Sequence, residues 1–196
     1  MAQSDAAAFP RVAGHPALDL VDTVHWRLDP QRAIDTLRDF DDVVSWCHQM
    51  DVGAATGAAR SALPRAESDV AAREHRAVVA LREAVYEAVF QHSSAAADLI
   101  AREHVDALAR SSLSFDEPAS AWVWVPPADL SGPRAAVAMS AHDLLTSDLT
   151  TARQCADDAC GWVYLDRSPR RNRIWCTAAG CGNRNRVARH QAKQKG

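Results

Sequence analysis

The chain of 196 residues contains no apolar run near 20 residues, so no segment of it is expected to span a bilayer. Met1 to Pro10 lacks the basic start and apolar stretch of a secretory signal, which points to a cytoplasmic protein whose thiols stay reduced. The motifs of common catalysis are missing too. There is no glycine-rich loop to cradle phosphates, no Gly-x-Ser-x-Gly elbow and no His-Glu-x-x-His string, so the chain is expected not to be an enzyme. No Gly/Ser/Pro linker separates its parts. From Thr150 to Gly196 large apolar residues are few, mainly Trp162, Val163, Tyr164, Leu165, Ile174, Trp175 and Val187, and a piece of about 40 residues with so small a core usually needs a staple.

Four of the five cysteines supply that staple, in the matched pairs Cys155-x4-Cys160 and Cys176-x4-Cys181. Two close pairs around a hairpin-sized insert can aim four thiolates at one tetrahedral ion, and zinc is the usual occupant. Disulfides do not suit a reducing compartment, and a redox or catalytic cysteine centre is the remaining rival. Four thiolates close the coordination shell, so one structural Zn²⁺ is expected, contributing about 10–16 kcal/mol to folding. Cys47 lies in an apolar helical pattern and reads as a small core residue.

Charge divides the chain at the same place. From Thr150 onward ten basic residues face three acidic ones, a net +7, which leaves −10 on residues 1–149 and −3 overall. A basic module of this density has the footprint of a polyanion binder. Within it, Trp162 to Leu165 is β-prone, Asp166 to Pro169 reads as a turn, and Arg173 to Trp175 is expected to return as the second strand of a hairpin. The stretch after Cys181 is helix-friendly, which makes knuckle, hairpin and ligand-bearing helix a treble clef. On that helix Arg186, Arg189, His190 and Lys193 fall at i, i+3, i+4 and i+7 and form a basic ridge, with Val187 and Ala188 expected to pack on the hairpin. Asn183 and Arg184 at the helix start, and Arg170, Arg171 and Arg173 in the turn, complete the candidate contacts to double-stranded DNA. RNA or an acidic protein surface is the alternative partner, and Arg184 could instead brace the cysteine loop.

Residues 1–149 read as mostly helical with a few strands, giving an α+β chain of two domains, 1–149 and 150–196. Asp39 is expected to cap a helix with Phe40, Val43, Val44 and Cys47 inward, ended by Gly53 and Gly57. Further helices are expected from near Glu67 to His92 (Val70, Val78, Leu81, Val85 and Val89 inward) and from a Ser94 cap to Ala109 (Leu99, Ile100, Val105 and Leu108). Another runs from Gly132 to Ala152, straight into Cys155. Trp122 to Val125 reads as a strand, and Leu18 to Thr23 as a strand or a helical turn. His15, Asp19, Asp22 and His25 could gather on one face to bind a metal or move protons. Asp22, Thr23, Trp26 and Arg27 are the candidate lining of a pocket for an anionic small molecule, with an aromatic wall, a hydrogen-bonding pair and a cation.

The string from Cys155 through Cys160-Gly161-Trp162 to Cys181-Gly182-Asn183-Arg184 resembles the CGNR zinc finger family. Ahead of it, the stretch Gly14-His15-Pro16-Ala17-Leu18-Asp19-Leu20-Val21-Asp22-Thr23-Val24-His25-Trp26-Arg27 resembles the opening motif of the ABATE domain, departing from it at Asp22, where asparagine is expected. The resemblance covers nearly the whole chain. It implies a stress-induced transcription regulator with a ligand-binding first domain and a treble-clef finger for DNA.

Overall fold

Residues 9–53 and 68–194 are described by a computed structural model of the chain. Helix α1 (Pro16–Val21) starts where His15 turns its Nδ1 to accept the Ala17 N–H at 3.2 Å, with proline in the first turn. The Leu18 to Thr23 stretch is therefore mostly helical. A minimal antiparallel pair follows, β1 (Val24–His25) with β2 (Ile34–Asp35). Asp39 caps α2 (Phe40–Gln49) as expected, accepting the Asp42 N–H at 3.0 Å. The long α3 (Ser68–Phe90) leads to α4 (Ser94–Arg110), whose cap is Ser93, one residue earlier than the sequence suggested. The expected ends at Glu67 and Gly57 lie outside the described residues.

A ribbon of β3 (Ser112–Asp116) and β4 (Ala121–Val125) precedes α5 (Gly132–Leu145). Helix α5 stops seven residues short of the expected Ala152, because a short 3-10 turn at Leu149–Thr151, capped by Asp148, intervenes. Helix α3 packs against α1, α2, α4 and α5. Val78, Leu81, Val85 and Val89 face this core, while Trp46, fully buried, fills the α2 side. Val105 does not join it. The buried face of α4 runs through Ala96, Ile100 and Ala107, and five residues beyond Ile100 the helix has turned Val105 outward, where it is 66% exposed. Among the described residues no helix is long and apolar enough to cross a membrane.

The cysteine-bearing end contains β5 (Ala152–Gln154), β6 (Val163–Leu165), a π-helical turn at Ala178–Gly182 and α6 (Asn183–Gln194). The expected hairpin is replaced by another. Strand β6 pairs with β5 in front of it, in the register Ala152↔Leu165, Arg153↔Tyr164 and Gln154↔Val163, and Arg173 to Trp175 form no strand. The first cysteine loop is itself the turn, closed by the Cys155 N–H on the Trp162 carbonyl at 2.7 Å. The later segment is engaged elsewhere. The Ile174 carbonyl accepts the Ala156 N–H at 2.9 Å, and the Arg173 N–H donates to Asp166 Oδ2 at 2.9 Å. Val187 and Ala188 do not pack on the hairpin; Val187 is 46% exposed and α6 buries no residue.

Candidate metal centre

Cys155 and Cys160 are held on the loop between β5 and β6, Cys176 follows the irregular segment, and Cys181 lies in the π-helical turn that opens α6. All four are buried, none is in a disulfide, and their sulfurs lie within 4.8 Å of one another. Zinc–sulfur bonds of about 2.3 Å in a tetrahedron set sulfurs about 3.8 Å apart. Cys160 and Cys176 Sγ are 3.8 Å apart, and Cys176 and Cys181 Sγ 3.4 Å. Burial pushes the Cys181 thiol up from its ordinary value, and a divalent cation reverses that cost by binding the thiolate. The donor set thus fits one structural zinc, with no position left for a reacting water.

Groups behind the sulfurs fix them in place. The Cys176 N–H donates to Cys155 Sγ at 3.3 Å, and Arg184 Nη2 to Cys181 Sγ at 2.9 Å. Arg184 also reaches Asp157 Oδ2 at 3.0 Å, and Asn185 Nδ2 joins the same oxygen at 2.7 Å while also donating to the Cys181 carbonyl at 3.1 Å. Asp157 is therefore the acceptor that ties the start of α6 to the first cysteine loop. Such outer contacts orient ligands and raise metal affinity.

Residues 152–194 match the CGNR zinc finger, and residues 14–148 match ABATE, described as "Putative stress-induced transcription regulator". The chain belongs to the ABATE family. No match is found among the curated proteins.

The ABATE opening motif turns out to be the foundation of the CGNR finger. Asp22 and Thr23 are fully buried. Asp22 Oδ1 accepts the Val163 N–H of β6 at 2.8 Å, and Thr23 Oγ1 donates to the Leu20 carbonyl at 2.7 Å and accepts from Arg82 at 3.2 Å. Arg27, only 11% exposed in its side chain, pairs with Glu83 and donates to the Val21 carbonyl at 3.1 Å. The Arg27 N–H meets the Cys160 carbonyl at 3.0 Å, and the Leu28 N–H meets that of Ala159 at 3.3 Å. Gly161 lies against this segment. Its φ of +70° and the 2.7 Å that would separate an added Cβ from that of Arg27 leave room for glycine only.

Trp26, at φ 56°, carries the guanidinium carbon of Arg32 3.6 Å from its ring centroid and that of Arg184 4.3 Å away. The four residues expected to line a pocket lie in this seam, Asp22 and Thr23 fully buried, Arg27 paired with Glu83 and Trp26 stacked by two arginines. Burial holds the Asp22 carboxyl well above its ordinary value, and Asp22 Oδ2 has no hydrogen-bond partner.

The other expected cluster separates as well. His15 caps α1, Asp19 Oδ1 accepts the N–H groups of Val12 and Ala13 at 2.7 and 2.9 Å, and His25 meets Trp162 edge to face at 5.1 Å. With Asp22 on β6, the four groups do four separate jobs.

Of the basic candidates, Arg170, Arg171, Arg186, Arg189, His190 and Lys193 are exposed. Arg173 is engaged internally. Its guanidinium lies 3.9 Å from the Tyr164 ring centroid and donates to the carbonyls of Trp175, Val12 and Cys176. Arg184 braces the cysteine loop, as described. Sequence reading passed over Asp157 and Asp166, the two buried acids of the basic module. A carboxylate buried within a net +7 segment needs internal donors, and that imbalance was the available signal.

Proposed function

We propose that the protein is a DNA-binding transcription regulator of the cytoplasm, not an enzyme, in which the CGNR finger grips duplex DNA and the ABATE domain makes that grip responsive to a ligand. One observation carries this reading: α6 is a 12-residue helix that buries nothing and presents Arg186, Arg189, His190 and Lys193 to solvent. A helix polar all round gains little from its own protein, and this one is anchored through Arg184, Asn185 and Cys181 in its first turn, leaving its length free for a polyanion. The finger's one ion pair among the described residues is Arg184 with Asp157, so the ridge charges are not neutralised internally. The seam between opening motif and finger is the connection through which ligand binding in the first domain would reach the finger.

Duplex binding by fluorescence anisotropy across a salt series tests the reading. Arg170, Arg171, Arg186, Arg189 and Lys193 together give an expected log–log slope of about −4 to −5. Reversing Arg186 and Arg189 to glutamate should remove most of the affinity while zinc content stays intact. Salt-indifferent binding, or equal competition by single-stranded RNA, would favour the alternative of a zinc-stabilised module for RNA or an acidic protein.

A further inference from the structure

His15 stands between two hydrogen bonds that tie the opening motif to β6. Before it, the Ala13 carbonyl accepts the Leu165 N–H at 2.8 Å; after it, α1 runs to Asp22, whose Oδ1 accepts the Val163 N–H at 2.8 Å. His15 itself starts the helix between them, with extended backbone (φ −152°, ψ 135°) and Nδ1 accepting the Ala17 N–H at 3.2 Å. The usual capping residues offer an oxygen that accepts throughout the neutral range, whereas an imidazole accepts only while the nitrogen concerned carries no proton. The seam therefore contains a cap that a proton can remove.

Charged and titratable groups surround this ring from every side. Asp143 of α5 favours its protonated form, and Arg167, just after β6, opposes it. Arg167 Nε lies 3.8 Å from where a Cβ on Gly14 would stand, so the finger's cation reaches the residue next to the cap. Beyond Asp143, His104 of α4 stacks in parallel on His142 with centroids 3.8 Å apart. Asp51, after α2, shares a crevice with Pro16 and Asp143 and is paired with Arg11. On α1 itself Asp19 is taken up by the N–H groups of Val12 and Ala13. The charges that α3 brings, Arg82 and Glu83, are engaged at the far end of α1 with Asp35, Thr23 and Arg27.

We propose that His15 is an acid-sensitive latch between the ABATE domain and the finger. Neutral, it caps α1 and holds the Ala13 end of the seam against β6; protonated, it gives up the Ala17 N–H and lets that end open. Burial lowers the ring's pKa from the ordinary 6.5, Asp143 partly offsets this, and Arg167 adds to it, so the closed form carries fewer protons than the open one. The latch is accordingly closed above about pH 6.5 and loosens as pH falls below it.

Amide hydrogen exchange at Leu165, read by NMR on the zinc-loaded full chain at about pH 5.5 and about pH 7.5 and corrected for intrinsic rates, tests the latch. His15→Asn is the reference, because its side-chain oxygen caps at both pH values and cannot titrate; His15→Ser is a second variant of the same kind. From the higher pH to the lower, opening at Leu165 is expected to rise about 2- to 30-fold more in the wild type than in either variant, the effect of losing one helix cap. Nitrogen shifts of the neutral His15 ring should place its proton on Nε2. An equal pH response in the wild type and in whichever variant folds overturns the proposal, as does a neutral ring that carries its proton on Nδ1. Neither readout involves DNA, so failure here and failure of the DNA reading are separable.

Discussion

Arg184 lies with its guanidinium carbon 4.3 Å from the ring centroid of Trp26 while its Nη2 donates to Cys181 Sγ at 2.9 Å. One side chain thereby joins the ABATE motif to a zinc ligand. Arg184→Ala is expected to lower zinc affinity by about 10- to 100-fold, measured by competition with a chromophoric chelator. Arg184→Lys should recover little, because a single ammonium cannot stack on the indole and donate to both Asp157 and the sulfur as the planar fork does. Trp26→Ala should act in the same direction and more weakly.

Zinc removal should be felt beyond the finger. The buried cysteines, Val163, Tyr164 and Leu165 belong to one continuous core with Leu18, Leu20, Val21 and Val85. Chelation, or Cys176→Ser, is expected to lower the thermal midpoint of the helical signal together with that of the finger. Far-UV dichroism and tryptophan fluorescence, recorded in parallel during melting, should shift as one transition. An ABATE helical signal that melts unchanged without zinc would mean that the seam carries little energy.

Asp22 offers a prediction with a definite sign. Burial raises its carboxyl well above the ordinary 3.8, so the folded state binds a proton that the unfolded state has released. Its contribution to stability is complete below the unfolded value and is lost as pH rises from there toward the folded value. Asp22→Asn keeps an oxygen for the Val163 N–H and cannot ionise. The variant should therefore gain on the wild type as pH rises above about 4, by about 2–4 °C in Tm for each 1 kcal/mol relieved. Parallel melts at pH 5.5 and 8 check this, the larger difference being expected at pH 8.

Arg173 and the exposed arginines should separate cleanly. Arg173→Ala withdraws a donor from the carbonyls of Trp175, Val12 and Cys176 and the cation from the Tyr164 face, and is expected to cost about 1–3 kcal/mol of stability. It should leave the salt slope of DNA binding unchanged. Arg186→Glu should do the reverse.

The cysteine spacing was legible because a tetrahedral ion demands four converging ligands whatever surrounds them. The faces of α2 and α3 were legible because helical period alone selects Val43, Val78 and Leu81. Long-range pairing was not. Nothing local marks Asp22 as the partner of Val163, 141 residues away, and a carboxylate beside a threonine, a tryptophan and an arginine looks the same in a seam as in a pocket. The partner of β6 was missed because Arg173 to Trp175 have acceptable strand propensity, and propensity does not register that their backbone is engaged by Asp166 and Ala156. Val105 shows the reverse limit, an apolar residue inside a helix but off its buried arc.

The Leu165 N–H donates to the Ala13 carbonyl at 2.8 Å, and β6 covers Asp22. During synthesis the segment from Ala13 to Leu28 leaves the ribosome long before residues 152–165 exist to cover it. A first domain that completes itself before the finger emerges therefore does so with this seam uncovered and the Asp22 carboxylate still in water, and the last fifth of the polypeptide closes it.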